Sequence, residues 1–317
     1  MNAPITVIIA AYRAEATITA SIQSALSDAL VGEVLVIDDA SPDATAAVAQ
    51  DADDGSGRLK VLIQPTNAGP AAGRNRGLNE ARGSYVAVLD ADDLLLPGRF
   101  AALLALPAWD FAADNILFVP AVPPPAELTN LATGVATRQI ALEEFIFGNI
   151  SVRGRGRSEL GFLKPVMRRE FLALHRLCYD ERLRLGEDFI LYVQALAKGA
   201  RFLLSERCGY LALERSESLS GRHSIENLEA LRDVSAAQLG TLDLSPRERQ
   251  ALVAQVRSIA VRAAHRQVLS EKASGGIVYA IRGLLKTPAL APAVGRAVLN
   301  DKLSRPAASP RARRLLF

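Results

Sequence analysis

Two groups of acid side chains have the type and spacing for chemistry. Asp90, Asp92 and Asp93 fall within Asp90-Ala91-Asp92-Asp93, and Asp38 and Asp39 are adjacent. In an extended segment, residues i and i+2 turn the same way, so Asp90 and Asp92 converge. Paired hard oxygen donors suit Mg²⁺ or Mn²⁺, which take part of their coordination shell from substrate phosphates. A single Asp there would more often cap a turn; three acids in four residues behind an apolar run weaken that reading. No Cys/His cluster argues for zinc, and Cys178 and Cys208 fit buried thiols in a reducing compartment.

These acids need a scaffold that brings them together. Ile5–Ala10, Glu33–Ile37, Leu59–Ile63 and Tyr85–Leu89 are short runs suited to buried parallel strands. Helical spacing lies between them. It spans Glu15–Ala29, a segment opened by Ser41 as N-cap and Pro42 at N1 that runs to about Gln50, and one from Asn67–Gly69 to about Ala81. Pro97 opens another helix. This alternation predicts an α/β fold with a parallel sheet and helices on both faces. Farther along, Asn115–Val122 reads as a strand, Phe189–Ala197 as a helix stopped by Gly199, and the region near Arg201–Ser205 as a strand. Ser245-Pro246-Arg247-Glu248 carries the signals of a helix start, and the last 70 residues read as helical. The acids therefore follow the second and fourth strands, at the sheet end where open α/β folds bind ligands.

Composition narrows the function classes. The chain has 317 residues, 50% hydrophobic and 22% charged, which excludes disorder; 2 Cys exclude a disulfide scaffold. After the first strand comes Ala10-Ala11-Tyr12-Arg13-Ala14-Glu15, with no glycine, so the dinucleotide fingerprint is absent, as is a P-loop. Nucleotide binding then requires another mode, with Tyr12 stacking on a base and Asp39 accepting from a base N–H. From Arg247 to Phe317 there are 14 basic and three acidic residues, a net +11, leaving −8 for residues 1–246. That split points to an acidic-site body and a basic tail facing nucleic acid or an anionic membrane. Aromatics are 5% and no nucleic-acid module is recognisable, which favours the membrane. No run reaches the ~18 apolar residues of a spanning helix, so the expectation is a cytoplasmic chain held peripherally on the inner face of the membrane.

Val7–Tyr12 (VIIAAY), Val34–Ser41 (VLVIDDAS), Asn67–Leu78 (NAGPAAGRNRGL) and Val88–Pro97 (VLDADDLLLP), in this order, resemble the four landmarks of family 2 glycosyltransferases, inverting enzymes with the GT-A fold. Gly186-Glu187-Asp188 followed by Phe189–Leu196 is similar to the family's Glu-Asp signature, and Tyr210 with Arg215, Ser218, Leu219 and Ser220 resembles a downstream element. Asp51–Leu59 and Trp109–Asn115 are similar to glucosyltransferases of bacterial exopolysaccharide (succinoglycan-type) assembly.

The resemblance implies a GT-A fold: a Rossmann-like nucleotide-binding sheet over residues 1–120, an acceptor half over 121–230, and a basic helical region over 231–317. It implies that Ala10, Ala11, Tyr12, Glu15, Asp39, Arg74, Asp90 and Ala91 bind a UDP-sugar. It also implies that Asp92, Asp90 and His223 hold Mn²⁺ or Mg²⁺, and that Asp93 steadies the loop. Asp188 would be the catalytic base, with Glu187 the alternative; without the resemblance the pair reads as acids favoured by the dipole of a helix opening there. The donor would be UDP-glucose and the acceptor a polyprenyl-diphosphate-linked oligosaccharide. Arg215, Arg222 or His223 would assist the leaving group. Arg153, Arg155 and Arg157, which alternate with Ser and Gly, read either as contacts to a diphosphate on the acceptor or, equally, as a solvated basic loop. The competing reading is a catalytically degenerate module that binds a nucleotide sugar or scaffolds a membrane complex.

Overall fold

A computed structural model describes residues 4–123, 136–150, 160–214, 224–286, 288–303 and 314–317. The first half contains β1 (Ile5–Ala11), α1 (Ile18–Leu26), β2 (Val31–Asp38), α2 (Thr45–Asp51), β3 (Leu59–Ile63), α3 (Pro70–Glu80) and β4 (Tyr85–Val88). β1 pairs in parallel with β2 and β4, and β2 with β3. Val7, Ile8 and Ile9 are all fully buried, so β1 is covered on both faces, as its unbroken apolar run requires. The chain moves one way from β1 through β3 and then jumps back to β4. Right-handed crossovers therefore place α1 and α2 on one face and α3 on the other. α3 approaches the sheet closely because Gly77 faces it: a Cβ there would lie 2.4 Å from Ile8 Cγ2.

The second half contains β5 (Leu94–Leu95), α4 (Arg99–Leu104), β6 (Phe111–Val119), β7 (Thr137–Gln139), α5 (Leu142–Gly148), β8 (Val166–Arg168), α6 (Arg169–Leu174), α7 (Glu187–Ala197) and β9 (Phe202–Leu213). β8 runs antiparallel to both β4 and β6, and β6 is parallel to β9. The full sheet has the order β3-β2-β1-β4-β8-β6-β9-β5 and is mixed beyond β4. Its core on this side is aromatic, with Phe145 stacked on Phe189 and edge-on to Tyr192.

The C-terminal region contains α8 (Ile225–Thr241), α9 (Pro246–Lys286), α10 (Ala291–Leu303) and β10 (Arg314–Leu315). α8 runs across residue 230. α9 starts with the reciprocal capping its sequence signals: the Ser245 N–H donates to Glu248 Oε2 at 2.7 Å, and the Glu248 N–H to Ser245 Oγ at 3.4 Å. α9 is interrupted at Gly275 and Gly276, the latter at φ +74°, a left-handed conformation that glycine adopts without strain. β10 pairs antiparallel to β6.

Several boundaries differ from the sequence reading. α2 begins at Thr45, not at Pro42, because the Ser41 hydroxyl is occupied by the Arg13 N–H (3.1 Å) and Asp43 receives the Thr45 N–H (3.2 Å). α1 is confined to Ile18–Leu26. β6 starts at Phe111, four residues ahead of the expected Asn115, and β9 continues to Leu213 rather than ending near Ser205.

Candidate active site

The strand order reverses between β1 and β4, and the carboxyl ends of these strands open the crevice where α/β sheets bind ligands. Ala10 is half-buried at the end of β1, Ala11 is buried, and Tyr12 projects just beyond with 44% exposure. The Arg13 guanidinium lies 5.4 Å from the Tyr12 ring centroid. Arg13 and Ala40, which follow β1 and β2, both sit at φ +53°, a left-handed conformation that costs about 1–2 kcal/mol for a residue with a Cβ. Such strain collects in loops that form binding sites.

The loop after β2 is organised by Asp39. Its Oδ1 accepts the Ala68 N–H and its Oδ2 the Gly69 N–H, both at 2.8 Å, which ties it to the start of α3. The Asp39 N–H in turn donates to the Ala11 carbonyl at 2.8 Å. A carboxylate offers about four lone-pair sites, so these bonds leave Asp39 capacity for another donor. Glu15 is exposed, and its Oε2 accepts the Ala44 N–H at 2.9 Å, linking the first loop to the second.

A buried charge network joins β4 to α7. Arg74, from the inner side of α3, spans three carboxylates. Its Nη2 is 3.0 Å from Asp90 Oδ1, and its Nη1 is 2.6 Å from Glu187 Oε1 and 3.2 Å from Asp188 Oδ1. Lys164 forms a second bridge, its Nζ 3.0 Å from Asp90 Oδ2 and 2.9 Å from Asp188 Oδ2. Burial alone would raise the Asp90 carboxyl, but the charges of Lys164 and Arg74 outweigh it and hold the group down at about 2. Burial likewise works against the charge on Lys164, yet Asp188 and Asp90 hold its ammonium above the usual lysine range. The arrangement thus brings Arg74, Asp90, Glu187 and Asp188, remote in sequence, into one cluster.

Lys164 was not anticipated from the sequence. Its backbone is fixed on both sides: Tyr192 Oη, from α7, donates to the Leu163 carbonyl at 2.9 Å, and Arg99 Nη2 donates to the Lys164 carbonyl. Arg99 is itself buried against Asp114. The one hint in the sequence is a lone lysine inside an apolar stretch, Phe162-Leu163-Lys164-Pro165-Val166.

The three acids after β4 divide between roles. Asp93 points inward, where its Oδ2 accepts the Tyr210 hydroxyl at 2.8 Å and its Oδ1 the Leu213 N–H at 2.9 Å. Burial, then the neighbouring charges of Asp90 and Asp92, push the Asp93 carboxyl well above the usual carboxylate range. Tyr210 also receives the Asp90 N–H at 3.1 Å, so β9 clamps the loop at two points. Ala91 and Asp92 are half-buried between these anchors. Among the described residues no group of three or more His, Cys, Asp or Glu side chains converges as a metal cage. The donor set fits a hard divalent cation held by one or two carboxylates, Asp92 and then Asp90, with substrate phosphate oxygens completing the shell. His223, Arg215, Arg222, Arg153, Arg155 and Arg157 lie outside the described residues.

Comparison with known proteins agrees with this geometry. The model of the family Glycosyl transferase family 2 matches residues 6–152. The chain is 43% identical over 307 residues to Succinoglycan biosynthesis protein ExoU of Rhizobium meliloti, covering 96% of this chain and 90% of that protein. A shorter match, 34% identical over 116 residues (36% of this chain, 44% of the relative), is to UDP-Glc:alpha-D-GlcNAc-diphosphoundecaprenol beta-1,3-glucosyltransferase WfgD of Escherichia coli. S. aureus TarS 1–349, solved in complex with UDP-GlcNAc, superimposes with a TM-score of 0.66 at 20% identity, covering 93% of this chain and 90% of that one. The fold is GT-A, with an added helical C-terminal region.

Proposed function

Because the chain belongs to glycosyl transferase family 2 and is a glycosyltransferase, we propose that it transfers glucose from UDP-glucose to a polyprenyl-diphosphate-linked oligosaccharide during exopolysaccharide assembly. The observation that carries this reading is the network in which Arg74 and Lys164 hold Asp188 beside Asp90 at the crevice between β1 and β4. The names of relatives support the finer points: one acts in succinoglycan biosynthesis, another uses UDP-Glc and a diphosphoundecaprenol acceptor. The charge split between body and tail suits work at the inner face of an anionic membrane.

In this mechanism Tyr12 stacks on the uracil ring, and Asp39 accepts from its N–H. The backbone at Ala10, Ala11 and Ala91 borders the nucleotide, and Asp90 approaches the ribose. A divalent cation, Mn²⁺ or Mg²⁺, held by Asp92 and Asp90, would neutralise the diphosphate as it leaves. Asp188 takes the proton of the acceptor hydroxyl as that oxygen attacks the anomeric carbon. The bond from that carbon to the diphosphate oxygen breaks, its electron pair leaves with UDP, and the centre inverts. Arg74 and Lys164 orient the base, while Tyr210 and Asp93 keep the Asp90–Asp92 loop in position. Glu187, on the same Arg74 nitrogen as Asp188, shares in placing that guanidinium.

Calorimetric titration of the full chain with UDP, GDP, CDP and dTDP, with and without Mn²⁺, tests the donor reading. Selective UDP binding that strengthens with Mn²⁺ and weakens in Asp92→Asn is expected. Folded protein that binds no nucleotide would overturn it.

A further inference from the structure

Of the large apolar side chains that face solvent among the described residues, the densest group lies on the C-terminal helices. Directly after the Gly275–Gly276 break, Ile277, Val278, Ile281 and Leu285 are 66%, 69%, 54% and 70% exposed. Ile277, Ile281 and Leu285 follow at four-residue intervals and so form a row along one side of the helix, with Val278 beside it. The other side of the same helix is already occupied. Ala280 forms a buried apolar cluster with Val268 and Val294, and Leu284 packs against it. A surface helix ordinarily turns a polar face outward; this one is apolar on both sides, and one side is uncovered.

The surrounding charge indicates what would cover it. Arg282 adjoins Ile281 in the row's own helix, and Lys272 and Arg296 are exposed on the neighbouring segments. Between Arg249 and Asn300 the sequence holds a single acid, Glu271. That acid is turned to the packed side: its carboxylate lies against Gly283, where a Cβ would be 2.1 Å from Glu271 Oε2, and it accepts the Gln267 amide at 2.8 Å. Arg282 therefore lies beside the uncovered row, and the exposed charges of the neighbouring segments, Lys272 and Arg296, are cationic. A second copy of this chain would bring the same cations and be repelled, whereas an anionic lipid surface supplies both acyl chains and negative headgroups.

We propose that the row Ile277, Val278, Ile281 and Leu285 is a membrane-docking face that lies in the interfacial plane of an anionic bilayer, with Arg282, Lys272 and Arg296 at the headgroups. No helix among the described residues is long and apolar enough to cross a membrane, so the contact is in-plane. The glycine break provides the turn that brings this segment back against Val268 and leaves its outer side free. The proposal deepens the reading that the acceptor is lipid-linked, since it names the surface that would bring the enzyme to such an acceptor; its test uses neither donor nor acceptor.

The test is co-sedimentation of the full chain with vesicles of phosphatidylcholine alone and of phosphatidylcholine mixed equally with phosphatidylglycerol. The native chain is expected to sediment with the mixed vesicles only. The variant Ile277→Asn/Ile281→Asn/Leu285→Asn is expected to bind them roughly tenfold more weakly or worse, with an unchanged melting temperature because the side chains are exposed. Arg282→Glu/Arg296→Glu is expected to weaken binding as well, and the native chain to lose affinity as salt rises. The proposal is overturned if the folded native chain ignores anionic vesicles, or if the triple variant sediments as the native chain does. It is also overturned if ultracentrifugation shows a dimer that the triple variant abolishes. Vesicle binding without UDP binding would remove the donor reading alone, and UDP binding without vesicle binding would remove the docking face alone.

Discussion

The acid cluster between β4 and α7 and the helix pair around Gly275–Gly276 are opposites in how they treat side chains. In the first, charged groups are buried and hold one another: three carboxylates share Arg74 and Lys164. In the second, apolar groups face solvent over more than half of their surface. Burying an ion costs several kcal/mol and is recovered only through close, well-aligned partners, so each member of the cluster is fixed by the others. Replacing these isoleucines and the leucine costs the fold little, because most of their surface is already in water. The first region is therefore rigid and costly to alter. The second is free to change with little harm to the fold.

That contrast can be broken most sharply at Arg74. Arg74→Met leaves Asp90, Glu187 and Asp188 with one cation between them. A loss of about 3–5 kcal/mol of stability is expected by denaturant titration near neutral pH. A loss under ~1 kcal/mol would mean that the carboxylates are solvated and the network is not a structural unit. Next in size is Gly77→Ala, which pushes a methyl group against the Ile8 side chain where β1 meets α3. About 1–3 kcal/mol should be lost, and a neutral result would show that α3 shifts freely on the sheet. The smallest effect is expected from Ile281→Asn on the exposed row. Its melting curve should match the native one to within about 0.5 kcal/mol; a large drop would show that the row is packed within the fold and is not a free surface.

Much of the site was legible because its acids are contiguous in sequence and follow apolar runs. Asp39 and the Asp90–Asp93 group are found from local pattern, Glu187-Asp188 only through the family resemblance, since alone the pair reads as acids at a helix start, and parallel β1 to β4 follow from the alternation of strands and helices. Lys164 was not legible. It precedes Asp188 by 24 residues and follows Asp90 by 74, and it leads into β8, a strand of three residues, too short to show a period. For the same reason the antiparallel insertion of β8 between β4 and β6 could not be read. The Ser41-Pro42 signal misled because the loop uses these groups otherwise: the Ser41 hydroxyl accepts the Arg13 N–H across to the first loop, and Asp43 takes the Thr45 N–H where the helix starts. In the C-terminal region the capping at Ser245 and Glu248 was legible. Which side of the later helix packs was not, since Ile277–Leu285 carries apolar residues on more than one side and the packing of Ala280 against Val268 and Val294 decides it.

The central claim is that Asp188, held by Arg74 and Lys164, removes the proton from the acceptor. Its most direct test is sugar transfer by Asp188→Asn, measured alongside UDP-sugar binding by calorimetry on the same preparation. The account predicts that donor affinity stays within a few-fold of native while transfer falls by about 10²–10⁴-fold. Transfer at the native rate by the folded, donor-binding variant would contradict it.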